Sequence, residues 1–137
     1  MADRRSRATN EHDDQGRPTG LWEERFADGS LSGTGRYVDG EKAGEWTYWH
    51  KNNQLKARGS YDHGQLDGAW VWYRVGGGLL QGGAFVRGLQ DGPWSRYHAS
   101  GELLDEGVYA LGKKIGEWAV FDSTGKLLRT TKHRPAP

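Results

Sequence analysis

The chain contains no cysteine. That excludes disulfides, thiolate catalysis, cysteine-ligated zinc and a lipoprotein anchor, and it suits a reducing compartment. It also lacks a long hydrophobic run. The N-terminal "MADRRSRATNEHDDQGRPTG" has arginines with no apolar stretch behind them, so it does not read as a secretory signal, and nothing elsewhere is long enough to span a bilayer. These absences predict a soluble, cytoplasmic protein. Apolar content is scarce as well, at 34% with a mean hydropathy of −0.90, too little for a thick core in a chain of 137 residues. Long helices are disfavoured because glycine recurs throughout the stretch from Gly16 to Gly125.

What is abundant is glycine and aromatic residues: 22 Gly, seven Trp, six Tyr and three Phe. They are ordered. Counting units of 24 residues from Gly20, Gly44, Gly68, Gly92 and Gly116, the third position is Trp22, Trp46, Trp70, Trp94 and Trp118. The tenth is Gly29, Asn53, Gly77, Gly101 and Gly125, and the twelfth is leucine in all five. Position 16 is Gly35, Gly59, Gly83 and Gly107, position 18 is Tyr37, Tyr61, Phe85 and Tyr109, and position 21 is Gly40, Gly64, Gly88 and Gly112.

Each unit holds two short strand-like stretches around a pair able to adopt positive φ, such as Asp28-Gly29 or Ser100-Gly101, and the glycine at position 21 turns the chain into the next unit. The spacing therefore predicts an all-β fold: five 24-residue β-hairpin repeats stacked into one elongated, twisted antiparallel sheet. Ten strands at ~4.8 Å spacing would extend roughly 45 Å. In so thin a sheet the five tryptophans must serve as the structural core by packing on their neighbours, and the glycines at positions 16 and 21 would leave room for a ring or for close backbone approach. Residues 1–19, with four arginines, four acids and little that is apolar, read as a disordered lead-in, 20–131 as the array, and 132–137 as a basic tail.

The pattern Gly-x-Trp-x-x-aromatic, then Gly-x-Leu, then Gly-x-Tyr-x-x-Gly, resembles the MORN repeat (membrane occupation and recognition nexus), most closely its bacterial variant, over residues 20–131. The resemblance implies a β-hairpin array that binds proteins and brings no catalytic residues with it. Proteins of the variant are often described as antitoxins of toxin–antitoxin pairs. The first unit departs from the pattern with Arg25 before Phe26, and the last has Thr131 and His133 where Gly and Tyr are expected, so both read as end caps.

Catalytic and metal chemistry find no support in the pattern. His50 and His98 share position 7 two repeats apart, about 19 Å along the sheet, too far to ligate one ion. His12, His63 and His133 fall in the lead-in, a turn and the tail. Adjacent acids such as Glu23-Glu24 and Asp105-Glu106 point to opposite faces of a strand. "GGGLLQGG" lacks the Lys-Ser or Lys-Thr of a phosphate loop. The expectation is a non-enzyme without cofactor or metal.

Position 5 (Glu24, Tyr48, Trp72, Arg96, Val120) and position 7 (Phe26, His50, Arg74, His98, Asp122) vary from unit to unit and alternate onto the tryptophan face. Tyr48, Trp72, Arg74 and Arg96, flanked by His50 and His98, are thus the candidate partner-binding residues, since Trp, Tyr and Arg dominate binding hot spots. The rival reading is that Tyr48 and Trp72 fill the thin core. Strict alternation sends the position-6 aromatics, Trp49, Tyr73, Tyr97 and Phe121, to the other face unless a bulge intervenes. The expected partner is a protein, with a toxin or effector the implied case. Residues 20–125 carry 11 basic against 14 acidic side chains, a net of −3, which disfavours nucleic acid. A membrane surface, which the name of the repeat suggests, is the second reading, and the same charge counts against it because anionic lipid favours basic clusters.

Overall fold

The computed structural model describes residues 8–134, and all of its regular structure is β. Eleven strands form a single open antiparallel sheet in chain order: β1 (Glu11–His12), β2 (Pro18–Arg25), β3 (Leu31–Val38), β4 (Glu41–Trp49), β5 (Leu55–Asp62), β6 (Gln65–Tyr73), β7 (Leu79–Val86), β8 (Leu89–Tyr97), β9 (Leu103–Ala110), β10 (Lys113–Phe121) and β11 (Leu127–His133). β2 and β3 form the first unit's hairpin, and each later unit adds one more, as the 24-residue period predicts. The left-handed turn residue at position 10 is Gly in four units and Asn53 (φ 69) in the other, a residue type that tolerates this conformation.

The thin core follows from a deviation in register. Between β3 and β4 the pairing runs Thr34 with Thr47 and then Arg36 with Ala43, so that the single residue Gly35 faces three, Gly44, Glu45 and Trp46. The same jump recurs between β5 and β6, β7 and β8, and β9 and β10. The arch needs a left-handed residue, and the glycine opening each unit supplies it, with Gly44 at φ 69. It carries the indole back over the preceding strand. A Cβ on Gly35 would lie 2.3 Å from the Trp46 ring, and Gly59, Gly83 and Gly107 stand equally close beneath Trp70, Trp94 and Trp118. Position 16 is glycine because a tryptophan lies on it.

Each indole N–H then donates to the carbonyl of position 17 beside the gap: Trp46 to Arg36, Trp70 to Ser60, Trp94 to Ala84, Trp118 to Val108, at 2.9–3.2 Å. Those four rings are 0–4% exposed. Edge-to-face contacts with the position-18 rings, for example Tyr61 on Trp70 at 5.2 Å, join them into one aromatic ladder. On the sheet margin the position-21 glycine of each of the first four units donates its N–H back along the sheet, as in Gly64 to Lys42 and Gly88 to Leu66.

Both ends of the array extend beyond the sequence-based boundaries. Residues 8–19, read from the sequence as part of a disordered lead-in, include β1, and the turn joining it to β2 is organised by Asp13, whose carboxylate accepts from the Gln15 and Arg17 backbones and the Arg17 guanidinium. These bonds hold the Asp13 carboxyl below its usual range, the backbone bond from Arg17 being the largest cause. His12 packs edge-on to Trp22 at 5.3 Å, and Trp22 donates to Glu11 O, so β1 stands where a preceding unit would. At the other end, Lys132 and His133, assigned by the sequence to a tail, belong to β11, and His133 meets Trp118 at 6.4 Å. A histidine thus closes each end of the ladder. Residues 1–7 and 135–137 lie outside the described residues.

Candidate binding surfaces

The structure places all six candidate partner-binding residues, and each has an internal task. Tyr48 stacks between Trp46 (5.9 Å) and Trp70 (6.4 Å), and Trp72 between Trp70 (5.5 Å) and Trp94 (6.0 Å). They bridge successive tryptophans, which is the core-filling alternative. The Tyr48 hydroxyl is shared with that of Tyr61 at 2.8 Å and accepts from Lys42 Nζ, whose ammonium also lies 4.6 Å from the Trp46 ring centre. Burial pushes both phenols up, Tyr61 strongly, with the Tyr48 hydrogen bond adding to the effect there.

Arg96 holds the equivalent position in the fourth unit. No ring replaces it. Its Nε and Nη2 donate to the two carboxylate oxygens of Asp105 at 3.0 and 2.6 Å, and Asp105 is 4% exposed while the arginine side chain is 53% exposed. Asp105 stands where the second unit has the buried Ala57, Cα partner of Tyr48, so a fork-on-carboxylate pair replaces tyrosine over alanine.

Position 7 forms a second inter-repeat ladder. His50 Nε2 lies 2.9 Å from Tyr73 O, Arg74 Nη2 donates to Tyr97 O at 2.7 Å, and His98 Nε2 lies 2.8 Å from Phe121 O. Each bond spans 23 residues and joins one unit to the next. Since a carbonyl only accepts, both histidines carry a proton on Nε2. Asp122, at the same position in the fifth unit, instead accepts from the Thr124 and Lys126 backbones within its own turn. His50 and His98 are therefore staples, and among the described residues no group of three or more His, Cys, Asp or Glu is placed to hold a metal.

A pairing shift near position 6, which the sequence leaves open, is present in every hairpin, between Tyr48 and Trp49 and at its equivalents. It leaves position 5 on the tryptophan face, as the stacking shows. Among the described residues the position-6 aromatics make no ring contacts with the ladder.

The opposite face is less committed. Where three residues oppose one, the strands separate and a shallow groove opens behind the indole. One groove, of about 520 Å³, is lined by Glu45, Arg58, Ser60, Asp67, Ala69 and Val71 together with backbone of the arch, and its counterpart two units on, of about 330 Å³, by Pro93, Ser95, Glu106, Val108, Glu117 and Ala119. Glu45, Arg58, Glu106 and Glu117 are exposed and differ in charge from groove to groove. Attention to positions 5 and 7 alone misses them. The signal was present, because positions 2, 4, 15 and 17 vary as freely and fall opposite the tryptophans by alternation.

Comparison with known families finds the MORN repeat variant at residues 42–63 and 90–110. These stretches coincide with the β4–β5 and β8–β9 hairpins. Repeats of this type are generally associated with scaffolds that bind proteins or membranes. Curated proteins yield no match. Among solved structures, a chain in the crystal structure of the GtfA/B complex bound to UDP and GlcNAc aligns over 78% of this chain and 21% of its own, at 14% identity and a TM-score of 0.30. This chain spans about a fifth of that one, and a likeness so loose supports no conclusion about it.

Proposed function

We propose that this chain is a non-enzymatic repeat scaffold that binds a partner protein across the face opposite its tryptophans, its narrowest form being the restraint of a toxin or effector. The observation that carries this reading is the division of labour between the two faces. The tryptophan face spends its side chains on ring packing, the Arg96–Asp105 pair and the position-7 staples. The other face presents grooves at a spacing set by the repeat, with backbone common to all units and side chains that differ. A surface of that kind offers shape through its skeleton and specificity through its charges. The toxin or effector rests on the resemblance alone.

The test is affinity capture of interacting proteins from the source cell by three purified forms, each checked by a thermal melt. The forms are wild type, the groove variant Arg58→Glu/Glu117→Lys, and the tryptophan-face variant Trp72→Ala/Arg96→Ala. A stoichiometric protein partner held by wild type and lost from the groove variant is expected. Loss confined to a folded tryptophan-face variant would return the site to Trp72 and Arg96. Flotation of wild type with anionic vesicles, without any protein partner, would replace the reading with a membrane-surface role.

A further inference from the structure

The two margins of the sheet are built differently. At the first, Asn10 closes β2: its backbone N–H donates to Leu21 O, its side chain donates to Glu23 O at 2.9 Å, and it accepts from Glu23 N at 2.7 Å. Among the described residues nothing of the kind covers β11. Among the described residues, Leu127–His133 pair only with β10, and residues 127–132 are all exposed.

Chemistry narrows what could pair there. From Ser123 to the C-terminus the sequence has no acid, while Lys126, Arg129, Lys132 and Arg134 are cationic. The charged group facing them from β10 is Glu117, Cα partner of Lys132. Asp122 is engaged in its own turn. None of the four cations sits in an ion pair among the described residues. At one end of the edge Ile115, Gly116, Lys132, His133 and Arg134 frame a depression of about 660 Å³, with an apolar floor and a basic rim.

A further unit of this chain's own kind is refused. Stacking one would lay a tryptophan on position 16, which is Thr131 here, where the earlier units have glycines whose added Cβ would stand 2.0–2.3 Å from the ring. A second copy docking by its β1 margin would offer only the two paired residues Glu11 and His12. That is small beside the ~800 Å² per partner of a standard interface.

We propose that the outer edge of β11 takes an extended, acidic segment of a partner protein as a twelfth strand, with an apolar side chain of that segment in the depression beside Ile115. The main chain supplies a row of unpaired N–H and C=O groups, and β-strand addition is how such rows recruit peptides. Arg129 shares the face of Thr131, and Lys132 lies on the other, so an incoming strand meets a cation on either side. This surface is separate from the grooves, and its test is independent of theirs.

The probe is a labelled peptide of alternating Glu and Val, matched to the seven residues of β11, titrated against the full chain by fluorescence anisotropy. Three controls accompany it: the Lys/Val counterpart, the Glu/Val peptide N-methylated at alternate residues to remove main-chain donors, and Arg129→Glu/Lys132→Glu protein checked by a thermal melt. Saturable, salt-sensitive binding of the acidic peptide is expected, weakened about tenfold or more by each of N-methylation, peptide charge reversal and the protein variant. Binding indifferent to N-methylation would overturn strand addition. Absence of binding would mean that the cations merely keep edges apart. Concentration-dependent self-association in ultracentrifugation, or flotation with phosphatidylserine vesicles lost in the variant, would assign the edge to a second copy or to lipid and equally overturn the proposal.

Discussion

Two adjacent glycines in β7 should respond to the same substitution with opposite signs. Gly83 lies beneath Trp94, and an added methyl would stand 2.1 Å from Cδ2 and 2.2 Å from Cε2, whereas ordinary van der Waals contact begins near 3.4 Å. The ring would have to lift by about 1.3 Å (3.4 − 2.1). It is held against that by Phe85 at 5.2 Å, Tyr109 at 5.9 Å, Trp72 at 6.0 Å and its own bond to Ala84 O. Overpacking of this kind costs roughly 1–3 kcal/mol, and a ring boxed in on several sides belongs at the upper end. Gly82 points the other way. Its Cβ would meet only Trp70 O at 3.6 Å, its φ is not left-handed, and the equivalent positions carry Thr34, Arg58 and Glu106 without difficulty. Gly82→Ala should therefore stabilise by about 0.4–1 kcal/mol through the unfolded chain's lost freedom. The gap between the variants is roughly 1.5–4 kcal/mol, several degrees in melting temperature for a domain of this size. Urea titrations followed by circular dichroism, with slopes compared to confirm that the same array unfolds, would measure it. Two shifts of the same sign, or a Gly83→Ala effect within about 0.5 kcal/mol of zero, would refute the placement of the indole on position 16.

Arg96→Ala should destabilise the fourth hairpin by about 1–3 kcal/mol, because it leaves the buried Asp105 carboxylate without its fork. Adding Asp105→Ala, which restores the residue type found at Ala57, should recover much of that loss; no recovery in the same denaturant titration would contradict the pairing. The raised phenols of Tyr48 and Tyr61 give a signed pH dependence. Above pH 10, the usual tyrosine value, the unfolded chain ionises while these folded phenols stay neutral, so stability should fall as pH climbs. Tyr48→Phe should shrink the fall, and a stability flat through that range would count against the buried hydroxyl pair.

The sequence by itself determined the repeat, its phase and its turns. Trp, Gly and Leu at fixed places in each 24-residue unit, with two strand-like stretches around a pair able to take positive φ, specify one hairpin each. A need for space at position 16 was legible too, in four glycines at one site, but whether a ring or a neighbouring backbone takes that space is decided by the tertiary structure. The roles of positions 5 and 7 were not legible. Variation there looks the same whether a side chain awaits a partner or solves a packing problem, and His50, Arg74 and His98 acquire partners only when a carbonyl 23 residues away is folded beside them. The same holds for Arg96, whose partner Asp105 is brought beside it on the next strand only by folding. Residues 8–19 were misjudged because the sparse hydrophobicity that suggests disorder says nothing of an Asp13 turn or of Asn10 bonding to a strand edge. Tertiary structure alone decided that three residues face one at each unit boundary. That mismatch seats the indole on one face and opens a groove on the other, and it arises from pairing between strands, which no single stretch of chain contains.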